Sequence, residues 1–216
     1  KKCDFIMLKC IKFYFNGFQM IYIFHKLLFL LIISSLTIHA NNQTDNLEKT
    51  DTIKEIDSSP LILIELKDLF FSSYSKKDYE KALIYSKKII KHTPSFDAYY
   101  NMAIVYSDLK KPNKAIELYN KAIELNPKFY EAYASIGLEY SLQGKYKKAL
   151  ESYKKGIEIN PKFYEAYVSI GFDYTLQGKH KKAIESYKKA IEINPKFYVV
   201  YNNMGVGYSR LGKYKK

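Results

Sequence analysis

The chain repeats itself with a period of 34 residues, and this internal repetition constrains its fold more than any other feature. Residues 130–163 and 164–197 are the clearest copies, because only seven of their 34 positions differ. Residues 96–129 are a more diverged copy, residues 63–95 are shorter by one residue, and residues 198–216 begin a fifth copy. A fixed period of this length indicates an array of units that pack against their neighbours.

Each copy carries the pattern of two amphipathic helices. Tyr133 and Tyr140 recur at helical spacing on one face of the first helix. Gly144 is expected to end this helix, as a glycine just past the last turn commonly does. Asn160 and Pro161 are expected to end the second helix, because the residue before a proline disfavours the helical region. The sequence therefore predicts an all-α fold of tandem antiparallel helix pairs.

Small residues mark the expected close contacts between these helices. Gly137 and Ala149 are predicted to lie where the two helices of one pair approach each other. Gly156, with Ala190 in the next copy, is predicted to lie where the second helix meets the following pair. One pair cannot bury its apolar face alone, so we expect a continuous core along the stack.

The pattern resembles the tetratricopeptide repeat, which has a period of about 34 residues and ordered aromatic, Leu-Gly, Tyr, Ala, aromatic and Pro positions. The matching residues in the clearest copy are Tyr133, Ile136, Gly137, Tyr140, Ala149, Tyr153 and Pro161. The likeness covers residues 63–216, and the first copy departs most, with Leu66 at the first aromatic position. The resemblance implies a right-handed α-solenoid, a tetratricopeptide-like superhelix.

The resemblance also implies that the first helices line a concave groove that binds a peptide or helix of another protein. The predicted groove residues are Tyr100, Asn101, Ile104, Glu131, Ser135, Leu138, Leu142, Glu165, Ser169, Phe172, Leu176, Asn202, Asn203 and Val206. These are mainly apolar and hydroxyl residues with an acidic rim, which favours a partner with an apolar anchor and a basic flank. Two alternatives stay open: differences between the copies here are drift, or residues such as Leu138 and Phe172 pack between units.

Some members of the family grip the acidic C-terminal tail of heat-shock chaperones with Lys, Asn and Arg side chains. Lys67 and Asn101 fall on two matching positions here. Phe71, Glu131 and Ser135 occupy the others, so the remaining positive charge of that clamp is missing. We expect a different class of partner.

Lysine dominates the formal net charge of +13, since Arg210 is the one arginine among 35 basic residues. Arginine is the usual residue for bidentate contacts to phosphates and bases, so nucleic-acid binding is not expected. The repeated lysines lie on the predicted second helices: Lys147, Lys148, Lys154, Lys155, Lys181, Lys182, Lys188 and Lys189. They form either a solvated face or a basic ridge that rests on an acidic partner or anionic lipid.

The amino-terminal residues 1–40 have the features of a secretory signal that starts at Met20. Lys26 precedes an apolar run over residues 27–33, and Ala40 is a small residue suited to cleavage. The alternatives are an uncleaved membrane anchor, or neither. Residues 41–60 are polar and acidic and are read as a flexible linker to a repeat domain over 61–216. Cys3 and Cys10 precede the cleavage position, so the mature chain would have no cysteine.

The sequence contains no recognisable arrangement of catalytic or metal-binding residues. The histidines are His25, His39, His92 and His180, and no two are spaced to share a metal. Aspartates and glutamates are expected along solvated helix faces. We therefore expect no enzymatic activity, metal or cofactor. The sequence favours an exported, non-catalytic interaction scaffold; the alternatives are the repeat portion of a longer enzyme, or a structural protein that self-associates.

Overall fold

The computed structural model describes residues 60–212, and within them the chain forms nine α-helices and no strand. The helices are α1 (Pro60–Ser75), α2 (Tyr79–His92), α3 (Phe96–Asp108), α4 (Pro112–Leu125), α5 (Tyr130–Leu142), α6 (Tyr146–Ile159), α7 (Tyr164–Leu176), α8 (His180–Ile193) and α9 (Tyr198–Arg210). The predicted signal segment, and all but the last residue of the predicted linker, lie outside the described residues. The all-α solenoid of helix pairs is confirmed.

Consecutive helices pair as α1 with α2, α3 with α4, α5 with α6, and α7 with α8, and each second helix also packs against the next first helix. Buried side chains fill the space between units. Ala103 and Tyr119, from the two helices of one pair, share a cluster with Ile136 of the next unit. The core therefore runs along the stack, as the sequence predicts for an array of helix pairs.

The first helices end in a left-handed residue at one fixed repeat position. Gly144 has φ +72°, Gly178 +71° and Gly212 +65°, which confirms that Gly144 terminates the first helix of its unit. Lys110 and Lys77 occupy this position in the two earlier units, with φ of 57° and 60°. A left-handed conformation is strained for a residue with a side chain, so these two units retain a cost that glycine removes elsewhere.

The second helices end where the sequence predicts. α6 stops at Ile159, and the backbone N–H of Asn160 donates to the Gly156 carbonyl oxygen over 2.9 Å. The side-chain Oδ1 of Asn160 accepts a hydrogen bond from the Lys162 N–H at 3.1 Å, which holds the turn around Pro161. The same arrangement recurs after α4 and α8.

The small residues mark close approaches, and one of them also faces a neighbour within its own unit. Gly137 lies under the ring of Tyr153, which confirms the predicted contact within a pair. Gly156 is predicted to meet the following pair, and a Cβ atom there would lie 3.7 Å from Cδ1 of Phe163, the residue that precedes α7. Ala190, at the same repeat position, shares a cluster with Val200 of the following unit. Gly156 also lies close to its own first helix. A Cβ atom there would lie 3.2 Å from the Tyr130 carbonyl oxygen of its own unit and 3.8 Å from Tyr133 Cβ. The absent side chain lets α6 lie close to the start of α5.

Candidate functional site

The first helices α3, α5, α7 and α9 carry the residues that the sequence predicts as a partner-binding groove. Three of these residues are exposed: Leu142, Asn202 and Val206. Seven are half-buried: Tyr100, Asn101, Ile104, Glu131, Leu138, Glu165 and Leu176. Four are buried: Ser135, Ser169, Phe172 and Asn203. A partner can reach the exposed and half-buried residues, and we name these ten the groove row.

The buried members of the predicted set contribute to the packing of the stack. Phe172 is only 2% exposed, in agreement with the alternative that it packs between units. Ser135 Oγ lies 3.1 Å from the hydroxyl of Tyr100 in the preceding first helix, within hydrogen-bond distance, and the Ser169 hydroxyl donates to the Glu165 carbonyl oxygen at 3.0 Å. Both buried serine hydroxyls thus have a hydrogen-bond partner, as buried polar groups generally do.

A row of carboxylates crosses the first turns of three consecutive first helices. Asp97, Glu131 and Glu165 occupy the same position in α3, α5 and α7. Burial raises the pKa of Glu131, and the charge of Asp97 raises it further. Burial likewise raises the pKa of Glu165, with a smaller contribution from the charge of Glu131. The row is thus negative and partly desolvated, which favours a positive group brought to this end of the groove row.

Two acidic side chains are buried between units, and the expectation that acidic residues lie along solvated faces is wrong for them. Glu139 and Asp173 are each 3% exposed. The hydroxyl of Ser107 donates to Glu139 Oε1, and the hydroxyl of Ser141 donates to Asp173 Oδ1. Each bond joins the first helices of two consecutive units, so each carboxyl group lies inside a junction of the stack.

The sequence contains a signal for these buried positions. Val105 and Gly207 occupy the same repeat position in the neighbouring units. An apolar or small residue in the other copies favours burial at that repeat position, because the units share one architecture. Considering each position across all copies, instead of each copy along its length, identifies Glu139 and Asp173 as carboxyl groups within the core.

The carboxyl group of Asp173 has a strongly shifted pKa. Burial raises the pKa of Asp173 to about 7, and the hydrogen bond from Ser141 opposes that rise. The second carboxyl oxygen, Oδ2, is buried without a hydrogen-bond partner. A buried acceptor without a donor carries a desolvation cost, which a donor from outside the chain would offset.

The lysines of the second helices face solvent, as predicted. Lys147, Lys154, Lys155 and Lys181 are exposed, and so are their counterparts along α6 and α8. Several ammonium groups lie over tyrosine rings of the first helices, as Lys148 does at 5.5 Å from the centroid of Tyr140. The stems thus cover aromatic surface while the charges stay in water.

The described part of the chain holds no cluster of three or more His, Cys, Asp or Glu side chains arranged to bind a metal ion. None of the helices between residues 60 and 212 is long and apolar enough to cross a lipid bilayer.

Comparison with protein families finds the same units. A model described as "Tetratricopeptide repeat" matches residues 96–129, 130–163 and 164–197, and a second model with the same description matches residues 186–216. Together they span residues 96–216, which is more than half of the chain. No curated protein matches the sequence.

Solved structures with this architecture are similar over most of the described residues. MamA is 29% identical, with a TM-score of 0.60, and the match covers 70% of this chain and 83% of MamA. A structure described as "YrrB: a TPR protein with an unusual peptide-binding site" is 23% identical, with a TM-score of 0.56, covering 65% and 73%. A tetratricopeptide repeat protein from Parabacteroides merdae is 23% identical, with a TM-score of 0.62, covering 72% and 61%.

The helix pairs, the glycine under the tyrosine ring, the left-handed residue after each first helix and the matched repeat models agree with one another. The chain belongs to the tetratricopeptide repeat family, whose stacked helix pairs are scaffolds for protein–protein interaction.

Proposed function

We propose that the chain is a non-catalytic scaffold that binds a peptide or helix of another protein along the groove row. The observation that carries this proposal is one chemical gradient that is present in two consecutive first helices, α5 and α7. Each of the two has a carboxylate in its first turn, and α5 ends with the 47% exposed Leu142 and α7 with the half-buried Leu176. A partner that runs across these helices meets negative charge along one edge and apolar side chains along the other.

The expected partner segment carries an apolar anchor and a basic flank. A lysine or arginine beside Glu131 and Glu165 would reduce their mutual repulsion and lower both raised pKa values. Such half-buried charges are screened less by salt than charges in open solvent. The peptide-binding site named for YrrB supports this mode of action for a protein of the same fold.

The proposal is tested by capturing proteins from a cell-envelope extract with the purified chain. The groove variant carries Glu131→Lys and Glu165→Lys. The matched control carries Glu151→Lys and Glu185→Lys, which make the same charge change on exposed positions of the second helices. A protein that the parent and the control capture, and that the groove variant loses while its helicity is unchanged, supports the groove row. Equal capture by all three proteins contradicts it.

We further propose that the chain is exported, on the strength of the signal-like pattern that ends at Ala40. The test is mass spectrometry of the chain purified from its native cells after fractionation. Export with cleavage predicts a protein that begins at Asn41 and lies outside the cytoplasm. An intact segment over residues 20–40 in the membrane pellet would instead support the anchor, and an intact segment in the cytoplasmic fraction would exclude both.

Self-association is a second candidate function, because α9 has apolar groups in contact with solvent. Tyr198 is 76% exposed, Tyr201 43% and Val206 49%. A Cβ atom at Gly205 would meet nothing within 4 Å, whereas Gly137 and Gly171 are each covered by a tyrosine ring. Light scattering over a hundredfold concentration range tests this candidate, and a constant monomer mass would exclude it.

A further inference from the structure

A cavity lies at the junction of the third and fourth described units, between α6 on one side and α7 and α8 on the other. Its volume is about 350 Å³, and Tyr146, Leu150, Ile170 and Tyr174 contribute apolar walls. This volume is at the lower end of the roughly 300–1,000 Å³ that is typical of cavities for small ligands. We name it the seam cavity, and none of its lining residues belongs to the groove row.

A buried carboxyl group forms part of this apolar wall. Asp173 lines the seam cavity and is 3% exposed. Ser141 donates to its Oδ1, whereas its Oδ2 is buried and has no hydrogen-bond partner. An apolar cavity with one unsatisfied acceptor favours an occupant that has an apolar body and a single donor.

Positive charge surrounds the opening of the cavity. Lys147, Lys179 and Lys182 line it, and all three are exposed. The Lys179 ammonium donates to Gln177 Oε1 at 2.8 Å, and the Lys182 ammonium lies 5.7 Å from the centroid of the Tyr174 ring. A cationic occupant would be repelled by three ammonium groups, so the charge favours an occupant with acidic neighbours.

At the next junction along the stack, between α8 and α9, residues lie in close contact at the positions that correspond to the seam cavity. There Gly207 replaces the aspartate, and a Cβ atom on it would lie 3.0 Å from Cγ1 of Ile184. Ile184 is 6% exposed and occupies the repeat position of Leu150. Three of the seven differences between the twin copies fall on residues of the seam cavity: Tyr146, Leu150 and Asp173. The two copies are therefore distinguished at the cavity and not only along the groove row.

We propose that the seam cavity is a docking site for an aromatic side chain with a hydrogen-bond donor at its edge, presented by an acidic segment of a partner protein. The ring fills the apolar walls, and its N–H or O–H donates to Oδ2 of Asp173. The acidic neighbours of the ring lie against Lys147, Lys179 and Lys182. Tryptophan and tyrosine are the residues that combine a large apolar body with a polar tip.

A synthetic peptide tests this assignment directly. The probe is Glu-Asp-Trp-Glu-Asp with both ends blocked, and tryptophan is chosen because an indole N–H donates and does not accept. The chain itself contains no tryptophan but 22 tyrosines, so the peptide is excited at a wavelength that tyrosine does not absorb, and its fluorescence then reports binding. The full chain is titrated at pH 8 and low salt. The same peptide with phenylalanine in place of tryptophan is measured by competition.

The decisive variant is Asp173→Asn, which keeps the shape of the side chain. When its Oδ1 retains the hydrogen bond from Ser141, its Nδ2–H lies opposite the indole N–H. We expect at least a tenfold loss in affinity for the tryptophan peptide, and an affinity equal to that of the phenylalanine peptide. Removing a negative charge would on its own strengthen the binding of an acidic peptide. A loss therefore reports the hydrogen bond and not the net charge.

A charge reversal tests the opening. The variant Lys147→Glu, Lys179→Glu and Lys182→Glu is expected to lose binding. The control Lys154→Glu, Lys155→Glu and Lys188→Glu, which carries the same net charge away from the cavity, is expected to retain most of it. Helicity and unfolding midpoint are compared for each protein.

Three results would overturn the proposal: no binding of the tryptophan peptide up to millimolar concentration, equal affinity of the parent and Asp173→Asn, or equal losses in the two charge-reversed proteins. The groove variant Glu131→Lys and Glu165→Lys, used above, separates the two sites. It is expected to bind this peptide at least as well as the parent, so a failure here leaves the groove row untouched.

Discussion

The ring of Tyr153 in α6 lies directly on Gly137 in α5, so that a Cβ atom on Gly137 would be 2.5 Å from Tyr153 Cε1. Tyr187 and Gly171 repeat this relationship in the next unit with the same 2.5 Å separation. The absence of one methyl group thus sets how closely the two helices of a pair approach. In the preceding pair Ala103 and Tyr119 occupy these positions, so that pair must accommodate a methyl group that its successors exclude.

Gly137→Ala is expected to destabilise the protein by about 1–3 kcal/mol, because the new methyl group overlaps a buried ring. The free energy of unfolding in urea measures the effect. Gly205→Ala is the matched control, since nothing lies within 4 Å of its Cβ position. That change is expected to stabilise α9 by about 1 kcal/mol through helix propensity. Equal and small effects of the two substitutions would contradict the close packing of Tyr153 on Gly137.

Lys110→Gly is expected to stabilise the protein by about 1 kcal/mol, because Lys110 has a φ of 57° that glycine adopts without strain. The unfolding midpoint of the variant should rise. The reverse change, Gly144→Lys, should lower stability by a similar amount, since Gly144 has a φ of +72° and open space around its Cβ position. A fall in stability for Lys110→Gly would show that the lysine makes contacts that outweigh its strain.

Phe172→Glu and Leu142→Glu should differ sharply, although the sequence places both residues on one predicted surface. Phe172 is 2% exposed and Leu142 is 47% exposed. We expect Phe172→Glu to cost at least about 3 kcal/mol, since it removes buried aromatic packing and introduces a charge. Leu142→Glu should change stability by less than about 0.5 kcal/mol. Circular dichroism during urea unfolding distinguishes them, and tolerance of glutamate at position 172 would refute the burial.

Asp173 should make the protein less stable as the pH rises. Its pKa is about 7 in the folded chain and 3.8 in the absence of burial, so the folded state binds the proton more tightly. The resulting stability is complete below about pH 4 and is lost as the pH rises to about 7, by on the order of 4 kcal/mol. Asp173→Asn should flatten this dependence and exceed the parent in stability at pH 8.

Several charged and titratable groups lie around Asp173 and influence its titration. On α6 and α7 they include Tyr146, Lys147, Tyr153 and Tyr174, and on α8 and in the turn before it Lys179, Lys182 and Tyr187. Glu151→Gln on the exposed side of α6 serves as the control. A parent and an Asp173→Asn variant with parallel stability curves between pH 4 and 8 would show that this carboxyl group titrates normally.

The repeat period predicted the helix pairs, their ends and the glycine contacts, because one architecture repeated in several copies fixes these features many times over. The period did not predict which first-helix residues are reachable. Leu138 and Phe172 occupy one repeat position, yet Leu138 is half-buried and Phe172 is buried. Accessibility depends on the size of facing side chains in the adjacent unit, and no single helix contains that information.

The repeat period also did not predict that two acidic residues are buried between units. Asp173 looks like a solvated residue when α7 is considered alone, because it follows Phe172 in an otherwise mixed helix. Val105 and Gly207 at the same repeat position favour burial, and the contact with Ser141 of the preceding first helix shows that Asp173 lies in the interior. Side chains that bridge two units have to be inferred from pairs of copies, and their hydrogen bonds cannot be inferred from hydrophobic periodicity.

The carboxyl group of Asp173 also determines where the array is expected to open. Units of a repeat stack contact mainly their neighbours, so the segment from α7 onward is attached through one junction. Above pH 7 that junction contains an ionised oxygen with no partner, and the cost of local opening there falls. Amide hydrogens of α7, α8 and α9 should then exchange with solvent as one cooperative block, ahead of those in α3 to α6. An occupant of the seam cavity would stabilise the closed junction and slow that exchange. The affinity of the occupant and the exchange rate of α7 to α9 would therefore depend on the same opening equilibrium.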